Sequence, residues 1–398
     1  MNDFYSRVSS CSSSAFLISY LYPMLFSEVI GQSAIKERLV RSVRDNRVSH
    51  AQMFLGPEGS GTLPLALAYA QFLLCTDKQE NDACGKCPSC IKAAKLEHPD
   101  LHLSFPIVKE GTKVEKADDR IAEFRKVVLE QPYLPLRHFL SELDEESKRP
   151  IIGTEEAGSI IHKLNYKAYG GEYKILVMWM AEYMNETAAN NLLKIIEEPP
   201  DQTLFILVTE NASSILPTIL SRTQLIKVPA LGDEEIMQVL VADHHIPEDE
   251  AHNVCMLAEG NYWAAHSLVL DLEDSGYSMQ TFRAWMLLCH KKNIPGILDW
   301  VEEAARLTRE QQKNFVRYAM HIFRQCIIGT YTDNELLRAR EDERDFISKF
   351  AQFVHGYNIV DLTEEFNKAH YYLERNANPK LVFLQLSFRV TTLMFPKK

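Results

Sequence analysis

Ala51-Gln-Met-Phe-Leu-Gly-Pro-Glu-Gly-Ser-Gly-Thr-Leu-Pro-Leu65 is the stretch on which the fold turns. Ala51–Leu55 has the apolar make-up of a short buried strand. It runs directly into the glycine-rich turn Gly56-Pro-Glu-Gly-Ser-Gly61, and Leu65 to Leu74 reads as a helix. A strand–glycine loop–helix unit can aim backbone N–H groups and a helix N-terminus at a phosphate. The same turn can also simply open a helix, and the loop by itself leaves both readings open.

A complete phosphate loop has the pattern Gly-x4-Gly-Lys-Ser/Thr, in which the Lys neutralises phosphate and the hydroxyl binds Mg²⁺. Here Thr62 and Leu63 occupy those two positions. Thr62 is neutral, Leu63 cannot ligate a metal, and Pro64 removes an N–H from the first helical turn, where Pro is structurally welcome. Gly56, Gly59, Gly61 and Thr62 are therefore read as a vestigial loop. The second half of such a site, a strand ending in Asp-Glu, decides the matter. The candidate strand ends Met178-Trp179-Met180-Ala181-Glu182, and its nearest carboxylate, Glu182, lies past the strand end and is expected to open the next helix. With both halves of the chemistry missing, no intrinsic ATP hydrolysis is expected.

Outward from the loop, Ser33–Arg44 has helical apolar spacing (Ile35, Leu39, Val43), and a further helix runs from Gly153 to about Leu164. Tyr173–Trp179 and Thr203–Thr209 are near-continuous apolar runs, as in parallel strands covered on both faces. Asn185–Glu198 reads as a helix stopped by Pro199-Pro200, Ser213–Ser221 as a short helix, and Gln224–Val228 as a last strand. Strands alternating with helices imply a doubly wound α/β domain over about 24–230. Residues 105–150 are charged and read as an insertion, with helix at Asp118–Leu129 and loop. Strand signals fade after Pro229: residues 231–273 read as a small helical domain with Asp233 as a helix cap, and 274–398 as long amphipathic helices, the last announced by Asn378-Pro379.

Four of the eight cysteines, Cys75, Cys84, Cys87 and Cys90, fall within sixteen residues. Four thiolates at C-x2-C spacing suit tetrahedral Zn²⁺ in a closed, structural site. An iron–sulfur cluster and unmetallated thiols are the alternatives. Cys11, Cys255, Cys289 and Cys326 are scattered and read as buried or free thiols.

With 46% hydrophobic and 24% charged residues the composition is that of a soluble globular protein, and the net charge of −11 argues against broad nonspecific wrapping of nucleic acid. Residues 1–23 are Ser-rich, then apolar, without the basic start of a signal peptide, and are read as a disordered extension. No stretch reads as a membrane span, so a cytoplasmic location is expected.

Taken together, Phe26–Gln32, His50–Gly61, the four cysteines, Gly153–Ala157, Lys174–Trp179, Met184–Pro200, Thr203–Thr209 and Leu216–Thr223 resemble the delta-prime subunits of bacterial DNA polymerase III clamp loaders, within the AAA+ superfamily. The match runs over about 24–230. Residues 1–23 and 105–150 lie outside it, and the rest matches loosely, apart from the last helix. The resemblance implies an AAA+ α/β domain with a zinc module at about 75–98, then a helical lid and a helical collar that oligomerises. It also implies that Leu220-Ser221-Arg222-Thr223 corresponds to a Ser-Arg-Cys motif, with Thr for Cys, whose Arg serves as a finger on ATP bound by a neighbouring motor subunit. The bland reading of Arg222 is a helix-terminal Arg facing water. In Glu259-Gly-Asn-Tyr-Trp-Ala-Ala265, Trp263 stands where ATPase-competent relatives carry a nucleotide-sensing Arg. Thr209 sits at a sensor position but reads as a cap of its strand end.

The implied role is a non-catalytic stator in a loader that places the sliding clamp on primed DNA. Motor (gamma/tau-type) and delta subunits are the implied partners, contact with clamp and DNA is indirect or weak, and no membrane is involved. Two rivals remain. An ATPase-active gamma/tau-type subunit is opposed by Thr62, Leu63, Trp179 and Met180. A zinc-dependent nucleic-acid adaptor is opposed by a cysteine loop that is acidic outside Lys78, Lys86 and Lys92.

Overall fold

A computed structural model of the chain describes residues 25–394, apart from 109–115, 146–147, 171, 245, 274–278, 332–340, 355 and 357. The extension expected at 1–23 lies outside the described residues.

Helix α1 (Ser33–Arg44) turns Leu39 and Val40 inward and leads to strand β1 (Ala51–Leu55). Helix α2 (Thr62–Leu74) begins at the loop, three residues earlier than its apolar run suggests, because Pro64 fits the first turn. Every residue of α2 is buried, which explains why the helix lacks a polar face. Then come α3 (Pro88–Ala94), β2 (Leu101–Ser104), β3 (Ile107–Val108), α4 (Ile121–Glu130), α5 (Leu136–Glu142) and β4 (Pro150–Ile151). The domain finishes with α6 (Thr154–Leu164), β5 (Lys174–Met178), α7 (Glu186–Glu197), β6 (Thr203–Thr209), α8 (Pro217–Leu220) and β7 (Gln224–Lys227).

The main sheet has the order β2-β5-β6-β1-β7, with every pair parallel. Central β6 is buried along its whole length and pairs with β1 from Ala51–Phe205 to Leu55–Thr209. Two apolar layers cover the sheet. One contains α2 with Phe54, Val177 and Ile206; the other contains α6 and α7 with Met53, Leu176 and Phe205. Alternate residues of one strand thus serve opposite layers, the signature of a two-faced parallel sheet.

Residues 105–150 do contain the expected helix, and Phe105, Ile107, Phe124, Val127, Leu136 and Phe139 join the core layer of α2. Phe105 stacks on Phe124 with centroids 4.0 Å apart, and Phe139 meets both edge-on at 5.5 Å. β3 and β4 close the segment as an antiparallel pair. Strand β2 gave no sequence signal, because His102 and Ser104 break its apolar run. The helix expected at Ser213–Ser221 is split into a 3-10 turn (Ala212–Ser214) and α8.

After the sheet domain come α9 (Asp233–His244), α10 (Glu248–Ala258) and α11 (Tyr262–Glu273), packed around Ile236, Leu240, Val254 and Ala265. Asp233 is not the cap of α9 but its first helical residue. The Glu235 carboxylate instead accepts from the Gly232 N–H at 2.8 Å, closing the turn from the other side. The C-terminal region holds α12 (Met279–His290), α13 (Ile294–Ala304), α14 (Arg309–Tyr331), α15 (Glu341–Phe350), α16 (Ile359–Glu374) and α17 (Pro379–Leu393). Its core stacks Trp285 on Trp300 at 4.9 Å, and the Trp285 indole N–H donates to Ser387 Oγ at 2.9 Å. Among the described residues no helix is long and apolar enough to cross a membrane.

Candidate functional site

The loop Gly56–Gly61 lies at the carboxyl end of β1, beside β6, where open parallel sheets place their ligand crevice. Gly59 and Gly61 have φ of +71° and +86°, a conformation that side chains with a Cβ resist. At Gly56 a Cβ would stand 2.5 Å from the Val228 carbonyl oxygen. The Gln32 side-chain amide ties the loop down, donating to Ser60 O at 3.1 Å and Pro229 O at 2.8 Å. Thr62 and Leu63 are both buried, Leu63 within the main core.

The space over this loop is taken by protein. A Cβ on Gly61 would lie 2.9 Å from the Tyr133 ring, and one on Gly59 would lie 1.9 Å from Asn261 Oδ1. Tyr133 is buried, accepts a hydrogen bond from the Ile30 N–H at 2.8 Å, and meets Tyr262 edge-on at 4.8 Å. The Tyr262 N–H donates to Gly59 O at 3.1 Å, and Asn261 Nδ2 donates to Glu58 Oε1 at 3.1 Å. Arg137 holds the same carboxylate through two bonds of 2.9 Å and reaches Glu374 of α16 at 3.2 Å.

At the neighbouring strand ends one oxygen of the Glu182 carboxylate is engaged and the other is buried without a hydrogen-bond partner. Glu182 lies in a 3-10 turn (Ala181–Tyr183) and accepts from the Glu210 N–H at 2.9 Å. The Glu210 side chain reaches solvent, yet the protein crowded around its carboxyl, then the charges of Glu58 and Glu182, push it up to about 8. Thr209 Oγ1 accepts from the Asn211 N–H at 3.2 Å at the end of β6. Trp179 is buried against Phe124 and Phe139, at 5.6 and 6.1 Å. Trp263 turns toward His138, 4.6 Å away. Tyr133 and Arg137 carried no motif, and only Pro132 and Pro135, which bracket a turn, mark their segment; Asn261 lies within the Glu259–Ala265 stretch, where only Trp263 carried a signal.

The four cysteines do converge. The Sγ atoms of Cys75, Cys84, Cys87 and Cys90 all lie within 4.8 Å of one another, and Cys84 and Cys90 approach to 3.9 Å. Tetrahedral Zn²⁺ with Zn–S bonds of about 2.3 Å needs sulfurs at about this spacing. Backbone N–H groups already point at the sulfurs: Cys84 N to Cys75 Sγ and Cys87 N to Cys84 Sγ at 3.3 Å, and Cys90 N to Cys87 Sγ at 3.4 Å. Such donors stabilise thiolates, so the donor set suits a metal such as zinc. Asp82 fastens the knuckle to the domain, accepting from the Phe26 and Ser27 N–H groups at 2.9 Å each.

Arg222 stands just past α8 at the surface. Its Nε donates to Glu197 Oε2 and its Nη1 to Thr218 O, both at 3.0 Å.

Residues 31–232, just over half of the chain, match the family described as DNA polymerase III, delta subunit. A DNA polymerase III subunit delta' of Bacillus subtilis is 28% identical over 243 residues, which is 61% of this chain and 60% of that protein. The delta' subunit of Escherichia coli is 24% identical over 277 residues, 69% of each. A tau/gamma subunit of Haemophilus influenzae is 27% identical over 233 residues, 58% of this chain and 28% of that protein. The solved structure of a DNA polymerase III gamma subunit-related protein from Thermotoga maritima covers 88% of the chain at 16% identity, with a TM-score of 0.35 too low to bear on function.

Proposed function

Because the chain belongs to the DNA polymerase III delta-subunit family, we propose that it acts as a non-catalytic, delta-prime-type subunit of a clamp loader. In this reading it serves as a stator for motor subunits and a delta subunit while the sliding clamp is placed on primed DNA. The observation that carries the non-catalytic assignment is the state of the phosphate loop: Leu63 points into the core, Trp179 sits in an aromatic cluster, and Tyr133 and Asn261 lie over the glycines. Those positions supply neither the phosphate-neutralising cation nor the Mg²⁺ ligands that hydrolysis needs. Relatives of the tau/gamma type also match, and the same substitutions count against a motor role.

Arg222 is the residue we assign to a neighbour's chemistry. Its guanidinium is at the surface on a short helix end, held by one exposed carboxylate, one carbonyl and the Ser221 hydroxyl. An exposed ion pair of that kind is weak and can be exchanged for a phosphate. A fixed cation delivered to a γ-phosphate offsets charge that builds up in the transition state, and in P-loop GTPases it is worth roughly 10³–10⁵ in rate. The four cysteines would hold a structural Zn²⁺, which closes the 75–98 module without an open coordination site.

The test is reconstitution of the loader with Arg222→Ala. DNA-stimulated ATPase of the assembly is expected to fall by about 10³ or more with assembly intact, the lower end of the range just given. Full activity would return Arg222 to a simple surface role. A purified chain that hydrolysed ATP at the rate of a motor subunit would sink the whole assignment.

A further inference from the structure

We propose that Tyr133 is a built-in occupant of the chain's own nucleotide cleft, so that the cleft is closed to ATP by the fold as well as by the lost phosphate-loop residues. The cleft is bounded by the phosphate loop, the Ile30-Gly31-Gln32 turn that Gln32 ties to it, and the start of α11. A nucleotide anchored on the loop would extend its base into this opening. Tyr133 fills it with a planar aromatic ring that lies against Gly61 and meets Tyr262 edge-on, while its hydroxyl takes the Ile30 N–H as acceptor. A flat ring with a hydrogen-bond acceptor at its edge is also the shape and chemistry of a purine base.

The segment that carries Tyr133 is held in place from three sides. Arg137, four residues further on in α5, grips Glu58 of the loop with both nitrogens of its fork and touches Glu374 of α16. Asn261, at the start of α11, donates to the same Glu58 carboxylate, and its Oδ1 caps the Ala264 N–H at 3.0 Å. His138 packs on Trp263 of α11. The sheet domain, the helical domain of α9–α11 and the C-terminal helices are therefore linked through Glu58 and Arg137. This arrangement holds them together whether or not ATP is present, as suits a subunit that must not change shape with nucleotide.

The proposal rests on reading Gly56–Gly61 as a phosphate loop. Its test is made on the isolated full chain, so its failure is separate from that of the Arg222 test, which is made in the assembly. Three variants are titrated with mant-ATP and Mg²⁺: Tyr133→Gly alone, Thr62→Lys/Leu63→Thr, and the triple combination. Saturable binding is expected only in the triple variant, because restored phosphate contacts cannot be reached while the ring is present. Equal binding by the double and triple variants would overturn the proposal, and so would a folded triple variant that binds nothing. Tyr133→Phe guards against misfolding, since it keeps the ring and removes only the acceptor. Its Ile30 amide is expected to exchange with solvent about tenfold faster at a modestly lower Tm, the loss of one buried hydrogen bond. Unchanged exchange at Ile30 would show that the hydroxyl does not hold the cleft closed.

Discussion

Arg137 and Glu58 meet through two parallel hydrogen bonds of 2.9 Å, joining residues 79 positions apart in sequence. Fork-to-carboxylate pairing of this kind fixes direction as well as distance. The two side chains are 33% and 24% exposed, so the pair is partly screened. Arg137→Ala is expected to lower stability by about 1–2 kcal/mol, read as a drop in Tm. Arg137→Lys should recover only part of this, because an ammonium cannot fork. Equal Tm for all three proteins would remove the pair from the account of domain packing.

The carboxyl of Glu210 holds its proton up to about 8, well above the ordinary 4.5. A carboxyl raised in the folded state favours folding at low pH, and that contribution is lost as pH climbs from about 4.5 through 8. Glu210→Gln stays neutral throughout. Melting curves should therefore show the variant gaining on the native chain from pH 5 to pH 9. A constant difference in Tm would mean that Glu210 titrates normally.

Metal binding at Cys75, Cys84, Cys87 and Cys90 should be stoichiometric, one Zn²⁺ per chain by elemental analysis, and Cys90→Ser should abolish it. Cys90 and Cys75 are buried at the base of the loop, so an emptied site leaves unpaired thiols inside. Chelation is expected to expose the 75–98 segment to proteases while the β-sheet domain stays resistant. Metal-free protein with the same cleavage pattern would count against a structural metal.

Trp179→Asp restores a carboxylate where a hydrolysing relative would carry one, and here it should destroy rather than repair. The side chain is 2% exposed and packs against Phe124 and Phe139. Burying an unpaired carboxylate and losing the ring together should cost about 4 kcal/mol or more. Urea unfolding should show this, with no ATPase gained.

Much of the architecture was legible because the patterns were strong. The apolar runs of β5 and β6, Asn185 and Pro199-Pro200 around α7, and Asn378-Pro379 before α17 are local signals that local physics obeys. Weak signals failed where burial came from elsewhere. Edge strand β2 is only four residues long and half polar, and Asp233 looked like a cap although it is the first residue of α9, with Glu235 reaching back to the Gly232 N–H. The charges of 105–150 hid a core of three phenylalanines, because composition averages over faces that a helix separates.

The sequence alone determined what the phosphate loop lacks, since a missing Lys or Asp is a fact of covalent identity, and it determined the spacing of the four cysteines. Only the tertiary structure decided what lies over the loop. Tyr133, Arg137 and Asn261 come from segments more than seventy residues away in sequence from the loop they cover. Their meeting depends on how separate hydrophobic layers pack, an outcome of summed non-local burial that no short motif encodes.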